Sequence, residues 1–270
     1  MLWYKAWLES RTRFLTTAGT LSVFCLFVVL FQNQIQAQGS SIPSGLRSRV
    51  YSEHIYNLIY SGTAKGIFSI LVIFLGLGGL LRERAPGTAI LTLALPASRL
   101  RLLAVQIGVG LSEMAVLALV PALLIPGVSP FVHQSYPIPQ ALQFSVLWFG
   151  CGTIIFATAF LSSVLLGGEY TAPVACFILL FLDTAIALWR PLRPYRLNMF
   201  WTMGGVGMMH WGLQDTLVLS SPLPWARLLT ISLISIALLA IAAHVTQRQD
   251  FRRFQIDGRT TSNSETTPLA

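Results

Sequence analysis

The chain has 270 residues, 54% hydrophobic and 10% charged, with a formal net charge of +8. So little charge cannot cover the apolar surface of a water-soluble fold of this size, which excludes an ordinary soluble domain and calls for lipid around the chain. The basic residues stand in short groups beside hydrophobic runs, where they set orientation and meet anionic head groups, so the positive charge is no sign of nucleic acid.

The chain begins with an amphipathic stretch. At ~100° per residue, Trp3, Trp7 and Phe14 share a face with Tyr4, Leu8 and Leu15 beside them, while Lys5, Glu9, Thr12 and Arg13 lie opposite. Arg11 falls on the apolar arc, where its long stem can snorkel. This pattern predicts an interfacial helix lying flat before the first span, or a plain anchor at the membrane start. Gln32, Asn33 and Gln34 follow the first apolar run in place of a small-residue cleavage site, so it is read as an uncleaved span.

Six runs approach the ~20 residues that cross the ~30 Å hydrocarbon layer. They are 16–35, 64–81, 102–125, 142–166, 172–189 and 226–244. Backbone polar groups in lipid need internal partners, so the runs are expected to be helices of one all-α transmembrane domain covering 1–254. Residues 36–63 and 126–141 read as outer loops, the second carrying Pro126, Pro130, Pro137 and Pro139. The glycine-rich run 199–213 reads as a surface or re-entrant piece, and 255–270 as a disordered tail. Cytoplasmic termini place eleven of the 18 basic residues inside, among them Arg82, Arg84, Arg99, Arg101 and Arg248. The cluster Arg190, Arg193 and Arg196 falls outside and fits this scheme poorly.

Between the second and third runs, Arg82, Glu83 and Arg84 lead to Gly87-Thr88, an apolar turn or two around Leu93, and a restart at Pro96, Ser98 and Arg99. A short apolar helix bracketed by charge suits a groove on a partner protein; it equally suits a loop helix resting on the bilayer. Within the spans, Glu113 and Asp183 each cost at least ~2.5 kcal/mol at mid-depth, so they need a cavity or a partner group. A substrate pathway and a hydrogen-bonded packing contact both meet that need. Ala104, Gly108 and Ser112 form a small-residue face for close helix approach.

The loop resembles that of ABC-2 type transporter permeases, in which Glu-Arg-x-x-Gly-Thr precedes Leu-x-x-Leu-Pro-x-Ser-Arg. The N-terminal aromatic and basic helix is similar to the family's elbow. The run Ala242 to Phe251 is similar to its closing Glu-Arg-Arg-Asp-Phe, with departures at Gln247 and Gln249, as at Gln106 after the loop. The resemblance implies an export-type permease subunit in the cytoplasmic (inner) membrane of a prokaryote, with both termini inside. Its partners would be a second permease copy or a paralogue and an ABC ATP-binding subunit. In that picture the loop 82–99 couples the permease to the ATPase. No Gly-x-x-x-x-Gly-Lys-Ser/Thr phosphate loop occurs in the chain, so ATP and Mg belong to the partner, and this chain is expected to bind no cofactor and to be no enzyme itself.

Three other readings stand beside this one. An ion-coupled secondary transporter usually carries inverted repeats and broken helices, which the sequence does not display. A membrane assembly factor would use the same loop only to recruit a protein. An intramembrane hydrolase needs its groups gathered at one depth, whereas His54, His133, His210 and His244 are scattered and no Gly-x-Ser-x-Gly elbow occurs. Cys25, Cys151 and Cys176 lie singly inside apolar runs, without disulfide or metal spacing.

Overall fold

The computed structural model describes residues 2–31, 47–77, 99–166, 171–188, 198–211, 217–219 and 222–264. Its helices are α1 (Leu2–Leu30), α2 (Arg47–Ile55), α3 (Thr63–Leu77), α4 (Arg99–Val128), α5 (Ile138–Leu165), α6 (Thr171–Leu188), α7 (Met199–Met203) and α8 (Trp225–Ser264). A π-helical turn, Tyr56–Tyr60, joins α2 to α3, and a 3-10 turn, Ser129–Val132, closes α4. Strands β1 (Met209–Trp211) and β2 (Leu217–Leu219) pair antiparallel, with His210 opposite Val218.

Among the described residues, five segments are long and apolar enough to cross a membrane: Ser10–Leu30, Val50–Leu77, Arg101–Val132, Ile138–Leu165 and Trp225–Gln247. That is the make-up of a membrane-embedded protein. The fifth predicted run forms α6, a shorter apolar helix.

Helix α5 is the centre. Two thirds of its span (67%) is buried inside the bundle, against 17% for α8 at the periphery. It packs against α3, α4, α6 and α8. Side chains such as Trp148, Ile155, Phe156 and Phe160 are almost fully covered. Gly76 lets α3 approach: a Cβ there would stand 2.8 Å from the Ala159 methyl and 3.0 Å from the Phe156 carbonyl oxygen. The outward faces keep large apolar groups exposed, among them Val23, Phe74, Leu123, Phe181 and Leu233, as lipid contact requires.

Several expectations need correction. The start of the chain is not a separate flat helix, because α1 runs unbroken from Leu2 to Leu30. Its first turns contain no proline or glycine, and Trp3, Trp7, Ser10 and Phe14 fall in phase with the inward stripe Thr17, Leu21, Cys25 and Val28. One continuous helix therefore serves both segments.

The outer loop 36–63 is helical from Arg47 onward, and the second membrane-length segment starts at Val50. Its polar residues mask a period of three to four in Tyr51, Ile55, Ile59 and Tyr60, all buried. The second loop is also shorter than read. Pro121 and Pro126 both stay within α4, and Pro139 sits in the first turn of α5, where its missing N–H costs nothing. Of the tail read as disordered from 255, the described part to Ser264 continues α8, since a formed helix propagates through polar residues more easily than a new one starts.

The π turn ends in a close approach. Ser61 N donates to the Tyr56 carbonyl at 2.8 Å, and the next residue, Gly62, lies so near the Asn57 carbonyl that a Cβ would collide with it. Gly62→Ala is expected to destabilise the detergent-solubilised protein by about 1–3 kcal/mol. Gly66→Ala, whose new methyl meets nothing within 4 Å, should be neutral or stabilising. Equal unfolding midpoints for the two variants would contradict the crowding at Gly62.

Candidate functional site

Glu113 is 5% exposed on α4, and its carboxylate accepts a hydrogen bond from the Ser10 hydroxyl of α1. Arg13 adds an attractive charge nearby. One turn or so toward the start of α4, the Trp3 ring covers Gly108, 2.6 Å from where a Cβ would stand. The two helices thus run parallel, with the aromatic start of α1 beside the beginning of α4. Of the small-residue face, Gly108 serves this contact inside one chain, while Ala104 and Ser112 are exposed. Glu113 thus joins α4 to α1. Trp3, Trp7 and Arg11 are exposed on their outer sides and Phe14 is half-buried.

Asp183 has a different setting. Half-buried on α6, it lies toward the backbone of Met199, at the first turn of α7. Its Oδ2 is buried and has no partner among the described residues. The other end of α7 meets a cation: Lys65 Nζ on α3 donates to the Phe200 carbonyl at 3.2 Å and lies against Gly204, the C-terminal cap. The side chain of buried Asn198 caps the same helix by accepting from Trp201 N at 2.8 Å. The Lys65 ammonium thus joins Gly204 N in meeting the Phe200 carbonyl, so a cation from a membrane helix braces the C-terminal end of this short helix.

The hairpin after α7 is held the same way. Ser52 Oγ accepts from Leu217 N at 3.0 Å, and Gln140 Nε2 donates to the Leu217 carbonyl at 2.6 Å. Gly205, at φ 63°, turns the chain so that Leu219 and Phe144 close over it. Beside the hairpin, Tyr60 stacks on Phe144 with centroids 4.0 Å apart, and Tyr51 meets Ser129 at 2.6 Å. Burial pushes the Tyr136 phenol well above its ordinary range, so it stays neutral. This polar end brings together α2, the turn after α4 and the described part of 198–219.

Sequence reasoning named Asp183 but passed over Lys65, Ser52, Gln140 and Asn198. A lone lysine just ahead of an apolar run was the available signal. The described part of the run 199–213, residues 199–211, is a helical turn and a strand, each too short to span. The coupling-loop residues Arg82, Glu83, Arg84, Gly87, Thr88, Leu93, Pro96 and Ser98 lie outside the described residues, and Arg99 opens α4.

Among the described residues no group of three His, Cys, Asp or Glu is placed to hold a metal ion. His133, His210 and His244 are exposed at separate places, and His54 is half-buried. Neither a family model, nor a curated protein, nor a solved structure matches this chain.

Ser10→Ala leaves the Glu113 carboxylate without its hydroxyl donor. It is expected to cost about 1–3 kcal/mol in unfolding measurements, the penalty for orphaning a buried polar group. Ser10→Ala combined with Glu113→Leu should recover most of the loss. Should the single variant unfold like the parent, the contact does not hold the helices.

Proposed function

We propose that the chain is the membrane-spanning permease subunit of an ATP-binding cassette transporter, exporting its substrate with energy from a separate ATPase subunit. In this reading α6 is a sixth span, and both termini and the loop 82–98 face the cytoplasm of a prokaryotic cell, across its inner membrane. A second permease copy or a paralogue completes the transmembrane unit.

The observation that carries the reading is the Glu83-Arg84-x-x-Gly87-Thr88 to Pro96-x-Ser98-Arg99 sequence, set between two long apolar helices that begin or end at the same face. Support comes from α1, whose aromatic start lies along the beginning of α4 through Trp3 and Ser10. Force applied at the loop would thus reach the first and third spans together. The chain has no phosphate loop of its own.

An ion-coupled carrier is the second reading, favoured by the ionisable pair Lys65 and Asp183 within apolar helices. Transport driven by an ion gradient without nucleotide would select it.

With an ATP-binding cassette subunit co-expressed as the proposed partner, Glu83→Lys is expected to insert normally but to lose most of the ATPase on purification. Undiminished co-purification and ATPase stimulation would remove the coupling role. Deletion of 2–14, which takes away both Trp3 and Ser10, should impair assembly more than it alters the number of spans. A fully active deletion protein would show the segment dispensable.

A further inference from the structure

We propose that a buried water molecule bridges the hydroxyls of Tyr60 and Tyr136, tying the π-helical turn to the link that leads into α5. The ligand is water, held as a fixed part of the fold.

Tyr60 is the hub of an aromatic cluster. Its ring stacks on Phe144 at 4.0 Å and on Tyr136 at 6.1 Å, and meets Trp148 edge-on at 6.0 Å. Phe144 and Trp148 stand four residues apart on one face of α5. Exposure is 1% for Tyr60, 6% for Tyr136 and 1% for Trp148, and bulk solvent does not reach their polar atoms. A π turn is rare and often sits at a functional site. Here it carries Tyr56 and Tyr60 against the same Phe144 ring.

The hydroxyls of Tyr60 and Tyr136 and the Trp148 indole nitrogen have no hydrogen-bond partner among the described residues. A buried hydroxyl left alone is costly, and folded proteins leave few of them. Three such atoms in one cluster call for a shared partner. The two phenols lie toward each other without forming a direct hydrogen bond. A polar pair set that way is where one water joins both groups. The Trp148 N–H is a third donor in the same cluster, in keeping with the roughly three bonds that an internal water makes.

The neighbouring polar side chains are engaged elsewhere. Ser129 donates its one proton to the Ile125 carbonyl at 2.6 Å, so it accepts from Tyr51, which uses the Tyr51 proton. Gln140 Nε2 donates to the Leu217 carbonyl, and Lys65 to that of Phe200. The cluster thus offers neutral donors and no charge, which suits water over an ion.

The test uses the full-length protein. In lipid nanodiscs, X-ray pulses generate hydroxyl radicals from water, and a side chain beside a bound water is oxidised even where bulk solvent does not reach it. Tyr60 and Tyr136 are expected to be labelled about five times faster than Phe160, which is equally buried but stacks on Phe156 in an apolar part of the core. In Tyr136→Phe, labelling of Tyr60 should fall toward the Phe160 rate. In detergent, Tyr60→Phe and Tyr136→Phe should each raise the unfolding equilibrium constant about five-fold, the effect of one net hydrogen bond. The double variant should raise it by less than the product of the two, because both hydroxyls serve one water. Dry phenols would behave in the opposite way, since removing an unpartnered buried hydroxyl stabilises a fold. The shared water is overturned by tyrosines labelled no faster than Phe160, by a single variant that unfolds no more readily than the parent, or by single effects that simply multiply. Neither readout depends on a transport partner or an energy source.

Discussion

Helix α5 is the post on which the bundle stands. Its side chains are apolar on nearly every side, and four other helices bury them. In lipid there is little hydrophobic gain from bringing helices together, so their association depends on close packing and on polar contacts. Both appear here. Gly76 brings the α3 backbone onto α5, Thr153 and Ser235 share a hydrogen-bonding contact of 3.1 Å between α5 and α8, and Trp148 packs edge-on to Tyr60.

Polar groups are sorted toward the two ends of this post. At one end, the α1–α4 pair uses Ser10 to quiet Glu113 and the Trp3 ring to fill the groove at Gly108. At the other, a short helix and a hairpin take up the polar groups of three helical elements. The acidic residues that looked alike in sequence thus have different settings. Glu113 has a side-chain donor from a neighbouring helix and joins two spans. Asp183 lies toward a short connecting segment at Met199, and its buried Oδ2 has no partner among the described residues.

Much of the helical layout could be read from hydropathy because a membrane span needs both length and an apolar surface, and few alternatives satisfy both. Helices α3, α4, α5 and α6 overlap the second to fifth runs, and α1 covers 16–30 of the first. The misreadings have one cause. Proline at 126, the serines and tyrosines of 50–60, and the polar tail after 254 were weighed by local propensity, whereas α4, the π turn and α8 carry helix through them. Tertiary burial of Tyr51, Ile55 and Tyr60 outweighs local polarity, and a proline in an already formed helix is tolerated where neighbours cover the freed carbonyl.

From its amino acids alone, then, this chain declares a lipid-embedded helical bundle, with costly carboxyls in its spans and a charged loop of recognisable pattern. Those are properties of composition and local period. Which carboxyl holds helices together and which lies toward a connecting segment was decided by the tertiary structure, as was the pairing of Lys65 with the far end of α7. Such partners lie more than a hundred residues apart in the chain, and no local pattern encodes a contact that forms when separate helices settle against α5.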